Sequence, residues 1–284
     1  MHLINGKKLA AHLRQQLTQT ISEQRLHPRL DIFLIGEDPA SNLYVSLKEK
    51  GAQEVGMELI VHRLAATTSD DEIVRQIEIA NTQTETDAIL VQLPLPDEHD
   101  TQRIINAINP SKDVDGFHPT NTQALLAGQG LVISPTHEAI LRLIAQTSLR
   151  LVDLQAAVIA NSDTFAEPLV SLLNRAGADT KHLQPEELDR AWLSGCGLVI
   201  CAVGKAKFLT ADMLPEARVV IDVGTNTNEQ GMPCGDVDQP SFESTDVWLS
   251  PVPGGVGPMT VALLLTHVTE FHQRKHHNSD SSSL

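Results

Sequence analysis

The chain has 284 residues, 41% of them hydrophobic, and its 36 acidic against 21 basic side chains give a formal net charge of −15. That apolar content is enough to bury a core and excludes a disordered chain, while the negative charge opposes association with nucleic acid or an anionic membrane surface. Three cysteines, Cys196, Cys201 and Cys234, have neither the number of a disulfide framework nor zinc-ligand spacing, and no apolar run approaches a bilayer span, so a cytoplasmic protein with reduced thiols is expected.

The opening Met1-His2-Leu3-Ile4-Asn5-Gly6 lacks the charged-then-apolar pattern of a secretory signal. Leu30 to Ile35 reads as a strand ending at Gly36, and Ser41 is placed to cap a helix that runs to about Val55 and closes at Gly56. Ile60 to Leu64 is a second strand. Asp70 to Asn81 is a helix by the spacing of Ile73, Ile77 and Ala80, and Ala88 to Gln92 is a buried strand stopped by Pro94 and Pro96. This alternation predicts a parallel sheet with helices on its faces. A second series follows, with strands at Ala156–Ala160, Gly197–Val203 and Val219–Val223 and helices at Pro168–Arg175 and Glu186–Leu193. A last helix runs from Thr260 to about His276, and the Ser-rich tail Asn278–Leu284 is expected to be disordered.

Four segments stand out chemically. Tyr44, the only tyrosine, and Lys48 are four apart, which puts both on one helix face; alone, such a pair is usually a lysine lying over a packed ring. Val91-Gln92-Leu93-Pro94-Leu95-Pro96 places an amide at the carboxyl end of a strand, the edge where open α/β sheets bind ligands, although such an amide can equally cap a turn. Lys112-Asp113-Val114-Asp115-Gly116-Phe117 sets two carboxylates in a loop, where carboxylates commonly form turns. Pro251-Val252-Pro253-Gly254-Gly255-Val256-Gly257-Pro258-Met259-Thr260 alternates the stiffest and the most permissive residues before a helix N-terminus, whose free N–H groups favour anionic or polar ligand atoms.

Together, in order and spacing over nearly the whole chain, these segments resemble the bifunctional methylenetetrahydrofolate dehydrogenase/cyclohydrolase (FolD) family. Further matches are Ala202-Val203-Gly204-Lys205, Val220-Ile221-Asp222-Val223-Gly224 and Gly235-Asp236-Val237-Asp238. The resemblance implies an α/β fold of two lobes: a catalytic, folate-binding lobe of residues 1–118 with 255–284, and a Rossmann-like lobe of residues 119–254, the C-terminal helix returning to the first. It implies Lys48, Gln92 and Asp115 as the catalytic group, with Tyr44, Pro253, Gly254 and Gly255 joining them around the folate. Ser162, Pro168, Ala202, Val203, Gly204, Asp222 and Gly224 would stand on the coenzyme side. It implies tetrahydrofolate derivatives as substrate, NADP as coenzyme, a homodimer, and a place in one-carbon metabolism and purine biosynthesis. The residue types fit: a carboxylate accepts two hydrogen bonds from an amino-pyrimidine edge, and a cationic methenyl group needs a neutral base, which Lys48 becomes beside a cation and a neutral amide.

The coenzyme side departs from the pattern. The family loop Gly-Arg-Ser-x-x-Val-Gly-x-Pro is here Ala160-Asn161-Ser162-Asp163-Thr164-Phe165-Ala166-Glu167-Pro168. Both glycines have gained methyl groups, the arginine is Asn161, and Asp163 and Glu167 add negative charge where a phosphate would approach. Gly177 to Pro185, Ser134 to Ala139 and Asn121-Thr122-Gln123 have drifted as well. The loop therefore argues against NADP, and NAD is expected less, since it carries the same pyrophosphate. The expectation is a cyclohydrolase whose dehydrogenase step is eroded; the alternative is a non-catalytic folate-binding or regulatory relative. A metal is not expected: His272, His276 and His277 share a helix end without a carboxylate or thiol cluster, and His118 is expected to be structural.

Overall fold

The structure is a computed structural model that describes residues 1–130, 132–228 and 230–281. The chain opens with the short strand β1 (His2–Leu3) and helix α1 (Gly6–Gln24), followed by β2 (Arg29–Ile35), α2 (Pro39–Val55), β3 (Glu58–Leu64), α3 (Asp70–Thr82) and β4 (Ala88–Val91). Strands β3, β2 and β4 pair in that order, all parallel. Three shorter helices follow, α4 (Thr101–Asn106), α5 (Pro119–Leu126) and α6 (Pro135–Ile144).

Local chemistry sets the ends of these elements. Helix α2 begins at Pro39 and is capped by Asp38, whose carboxylate accepts from Ser41 N–H at 2.7 Å, so the cap stands three residues before the expected Ser41. It ends at Gly56, whose φ of 79° is the left-handed conformation that glycine reaches without a Cβ penalty. Helix α3 is capped by Ser69, carries Asp70, Asp71 and Glu72 in its first turn, and buries Ile73, Ile77 and Ala80 as their spacing predicts. Its last carbonyls, at Ala80, Asn81 and Gln83, accept from Lys112 Nζ.

The second half contains β5 (Gln155–Ala160), α7 (Asp163–Arg175), β6 (Asp179–Leu183), α8 (Arg190–Ser194), β7 (Leu198–Ala202), β8 (Val219–Asp222), the hairpin β9 (Asn226–Thr227) and β10 (Pro233–Cys234), β11 (Trp248–Leu249) and the long helix α9 (Val256–Ser281). The main sheet runs β1-β11-β8-β7-β5-β6, every pair parallel. Several expectations are corrected. The helix expected from Pro168 starts at Asp163: Pro168 removes a single backbone bond, and burial of Ala166, Leu169 and Leu173 carries the helix through it. The helix expected over Glu186–Leu193 is reduced to five-residue α8, and 179–185 contains a strand the sequence reading did not place. Helix α9 begins at Val256 rather than Thr260, because Pro258 falls in a first turn that needs no N–H from it. The tail expected to be disordered is helical backbone to Ser281, and residues 282–284 lie outside the described residues.

Two compact units result, residues 10–135 with 261–284 and residues 1–9 with 136–260. The C-terminal helix thus returns to the first lobe, as expected, but the division falls at 135/136 instead of 118/119. The first residues go with the second unit because β1 completes its sheet, His2 N–H donating to Val247 O at 2.7 Å and Ile4 N–H to Leu249 O at 2.9 Å. The first unit buries Leu30, Ile32, Leu34 and Val45 with Leu264, Leu265 and Val268 of α9. The second buries Ile159, Val199, Cys201, Val220 and Phe242.

In the second unit the loops after β7 and β8 are tied by two buried carboxylates. Asp236 accepts from the N–H groups of Val203, Gly204 and Lys205 and from Asn226 Nδ2. Asp222 accepts from the N–H groups of Gly224, Asp236 and Val237. The knot leaves no room for side chains: a Cβ on Gly224 would lie 2.2 Å from Asp236 Cγ, and one on Gly235 would lie 1.8 Å from Asp222 Oδ2. Gly224→Ala is therefore expected to destabilise the fold by about 3 kcal/mol in chemical denaturation, the scale of overpacking against groups that cannot yield. A change within a few tenths would show that the knot is pliable.

Candidate active site

Lys48 belongs to the buried stripe of α2, with Ser41, Val45, Ala52 and Val55. Only 8% of the residue is exposed, and its amine meets Gln92 just beyond β4, Nζ donating to Gln92 Oε1 at 2.8 Å. The amide is oriented from its other end by Nε2 donating to Leu93 O at 2.7 Å, and its backbone N–H still continues the ladder to Phe33 O. Burial drives the Lys48 pKa below the ordinary lysine value, with the Asp115 carboxylate opposing. Half-buried Tyr44 stands one turn earlier on α2.

The two loop carboxylates have separate tasks. Asp113 builds the loop, accepting from Gly116 N–H at 3.1 Å and from His118 N–H and Asn121 Nδ2 at 2.9 Å each. Asp115, thereby held, is half-buried, and burial pushes its carboxyl up to about 6. Lys48 acts to lower it, Asp113 to raise it, and His267 of α9 to lower it again. Lys48 thus bonds Gln92 and interacts by charge with Asp115, which also feels His267, a residue that spacing did not single out. His118 caps α5, its Nδ1 accepting from Thr120 N–H at 3.1 Å.

The other expected positions lie in the second unit. Pro253 is exposed, Gly254 has φ 115° with its carbonyl accepting from Lys7 N–H, and buried Gly255 backs onto Gly6. Ser162 precedes α7 without a side-chain capping bond, and Pro168 is buried inside that helix. Half-buried Ala202 ends β7, while the N–H groups of Val203 and Gly204 and the carboxylate of Asp222 serve the knot with Gly224. Burial raises Asp222 to about 7 against its three backbone donors. Around the start of α7, Asn161 Nδ2 donates to Val203 O at 2.8 Å, His182 Nε2 meets Ala160 O at 2.9 Å, and His182 Nδ1 stands 3.1 Å from Asp163 Oδ1. Ala160 and Ala166 are buried.

Among the described residues no group of three metal-ligating side chains converges, and no helix is long and apolar enough to cross a membrane. His272 is bonded to Asp87 at 2.9 Å and meets the tilted ring of His276 at 4.4 Å, while His277 bonds Gln273 O.

Residues 4–115 match the family model described as tetrahydrofolate dehydrogenase/cyclohydrolase, catalytic domain, and residues 134–276 match its NAD(P)-binding domain. The bifunctional protein FolD of Campylobacter fetus is 38% identical over 288 residues, covering 98% of this chain and 100% of that protein. The FolD of Desulfovibrio desulfuricans is 39% identical over 285 residues, covering 97% of this chain and 99% of that one. Among solved structures, the bifunctional FolD from Campylobacter jejuni superposes with a TM-score of 0.91 at 33% identity, over 96% of this chain and 99% of that one. The Trypanosoma brucei enzyme, complexed with NADP cofactor and inhibitor, reaches 0.89 at 25% identity, over 96% and 97% of the two chains.

The raised Asp115 has a thermodynamic consequence. The folded chain keeps a proton there that the unfolded chain releases near pH 4, so this group's contribution falls as pH rises from about 4 to about 6. Asp115→Asn is expected to be the more stable protein above pH 6 by up to about 2 kcal/mol and to lose the advantage near pH 4. Denaturation midpoints of both proteins at the two pH values check this; parallel pH profiles would contradict the shift.

Proposed function

The chain belongs to the tetrahydrofolate dehydrogenase/cyclohydrolase family, and from that premise we propose that it serves the family's interconversion of 5,10-methylene-, 5,10-methenyl- and 10-formyl-tetrahydrofolate at the hydrolytic step between the last two, carried by Lys48, Gln92 and Asp115. The observation that carries this reading is the buried Lys48 amine hydrogen-bonded to a neutral amide. Methenyl-tetrahydrofolate is a cation, so an ammonium beside it would repel it, whereas a neutral amine attracts no penalty and accepts a proton. Burial already moves Lys48 in that direction, and the substrate's charge moves it further.

In the step proposed, water adds its oxygen to the methenyl carbon and gives one proton to Lys48. The bond from that carbon to N5 then breaks as N5 takes the proton from Lys48. The second water proton leaves for solvent, and the carbon remains on N10 as a formyl group. Gln92 keeps the amine aimed without adding charge. Asp115, ionised, accepts two hydrogen bonds from the amino-pyrimidine edge of the pterin. Tyr44 offers its ring face on the same side of α2, and Pro253, Gly254 and Gly255 are proposed substrate contacts by family resemblance. A homodimer in the cytoplasm belongs to the same proposal, on the same resemblance. The intact Lys48–Gln92 contact weighs against the non-catalytic alternative.

Lys48→Ala is expected to lower methenyl-tetrahydrofolate hydrolysis by at least roughly 100-fold, the range of a lost general base, with the fold retained. Gln92→Ala leaves a buried amine without its acceptor and is expected to cost about 1–3 kcal/mol, or roughly 10- to 100-fold in rate. The absorbance decay of methenyl-tetrahydrofolate reads both, and wild-type decay no faster than in buffer would end the proposal.

A further inference from the structure

The sheet of the second unit has a topological switch point. From β5 the chain crosses to β6 on one side, and the next strand, β7, returns to the other side. In open parallel sheets ligands enter the crevice between the loops that leave such a pair of strands, here β5 and β7, and a dinucleotide sets its pyrophosphate on the helix that follows the first. In this chain that crevice is bridged by its own residues. Asn161, just after β5, donates its side-chain amide to Val203 O, just after β7, at 2.8 Å.

The helix end is committed as well. Asp163 places a carboxylate in the first turn of α7, where the helix dipole favours negative charge. That carboxylate is held 3.1 Å from His182 Nδ1, whose Nε2 meets the carbonyl of Ala160 at 2.9 Å. The imidazole that meets this loop is thus already engaged by an acid and a carbonyl of the chain itself. Ala160 and Ala166 pack their methyls into the core on either side of the exposed loop residues 161–164. On the opposite side of the loop, the N–H groups of Val203 and Gly204 are consumed by Asp236.

These residues do not fit the coenzyme for which the domain is named. We infer that the Asn161–Val203 bridge and the Asp163–His182 pair close the switch-point crevice of this chain to pyrophosphate-bridged coenzymes, so that it works on the hydrolytic side of folate interconversion without NADP or NAD. The inference rests on the folate reading only for what the chain does instead; the closure stands on the second unit alone.

The test is calorimetric titration of the full-length protein, shown to unfold cooperatively, with NADP, NAD and inorganic pyrophosphate. Dissociation constants weaker than about 1 mM are expected for all three; saturable binding of either coenzyme below about 0.1 mM overturns the inference. The double variant Asn161→Gly with Asp163→Asn removes the bridge and the carboxylate together and is expected to bind pyrophosphate at least tenfold more tightly, whereas unchanged affinity overturns the closing role given to those residues. Hydrolysis of methenyl-tetrahydrofolate by the same preparation is read separately: its loss would count against the folate proposal and leave the binding result standing.

Discussion

A buried amine that meets a neutral amide, and not a carboxylate, at hydrogen-bond distance is the contact around which the first unit is organised. Lys48 could reach its position only on the inner stripe of α2, and Gln92 only at the end of β4, so the contact ties a helix to a strand end. A carboxylate in place of Gln92 would hold the amine charged; the amide gives it an acceptor and leaves its charge state to the surroundings. Asp115 then supplies the negative charge indirectly, shaped by burial and by Lys48. Its place depends on Asp113, which fixes the loop through three donors. Two acids two residues apart therefore divide into one that builds and one that faces the amine.

The second unit uses buried acids differently. Asp222 and Asp236 accept backbone N–H groups from neighbouring loops and from each other's vicinity, and the glycines beside them are small because the carboxylates leave no volume. Segments that resemble a coenzyme site, Val203 with Gly204 and Asp222 with Gly224, take part in this knot. A buried carboxylate stripped of such donors would cost several kcal/mol, so the knot resists change at either acid. The one unit thus contains a rigid loop junction beside a loop whose polar groups have turned to internal partners.

Much was legible from residues alone because their reasons are local. The 3.6-residue spacing of Ile73, Ile77 and Ala80 encodes the buried face of α3, the glycine at 56 encodes the end of α2, and the run Ala88 to Gln92 encodes a strand covered on both faces. Tyr44 and Lys48 share a face by geometry that no distant contact can alter. What escaped was local structure imposed from afar. Strand β6, with its polar Asp179, Thr180, Lys181 and His182, carries little apolar pattern and is a strand because β5 offers it an edge. Likewise β1 is two residues long and exists through β11.

By itself, then, the order of residues determined the alternating α/β class and the family, and through the family resemblance it pointed to an amine, an amide and a carboxylate, since these follow from periodicity or from motifs held within a few residues. Only the folded chain decided that Asp113 builds the loop that holds Asp115, that His267 adds its charge there, and that Asn161 and His182 turn onto Val203 and Ala160. Those choices depend on which partners lie within about 3 Å after packing, and hydrogen bonds between residues tens of positions apart leave no periodic trace in a sequence.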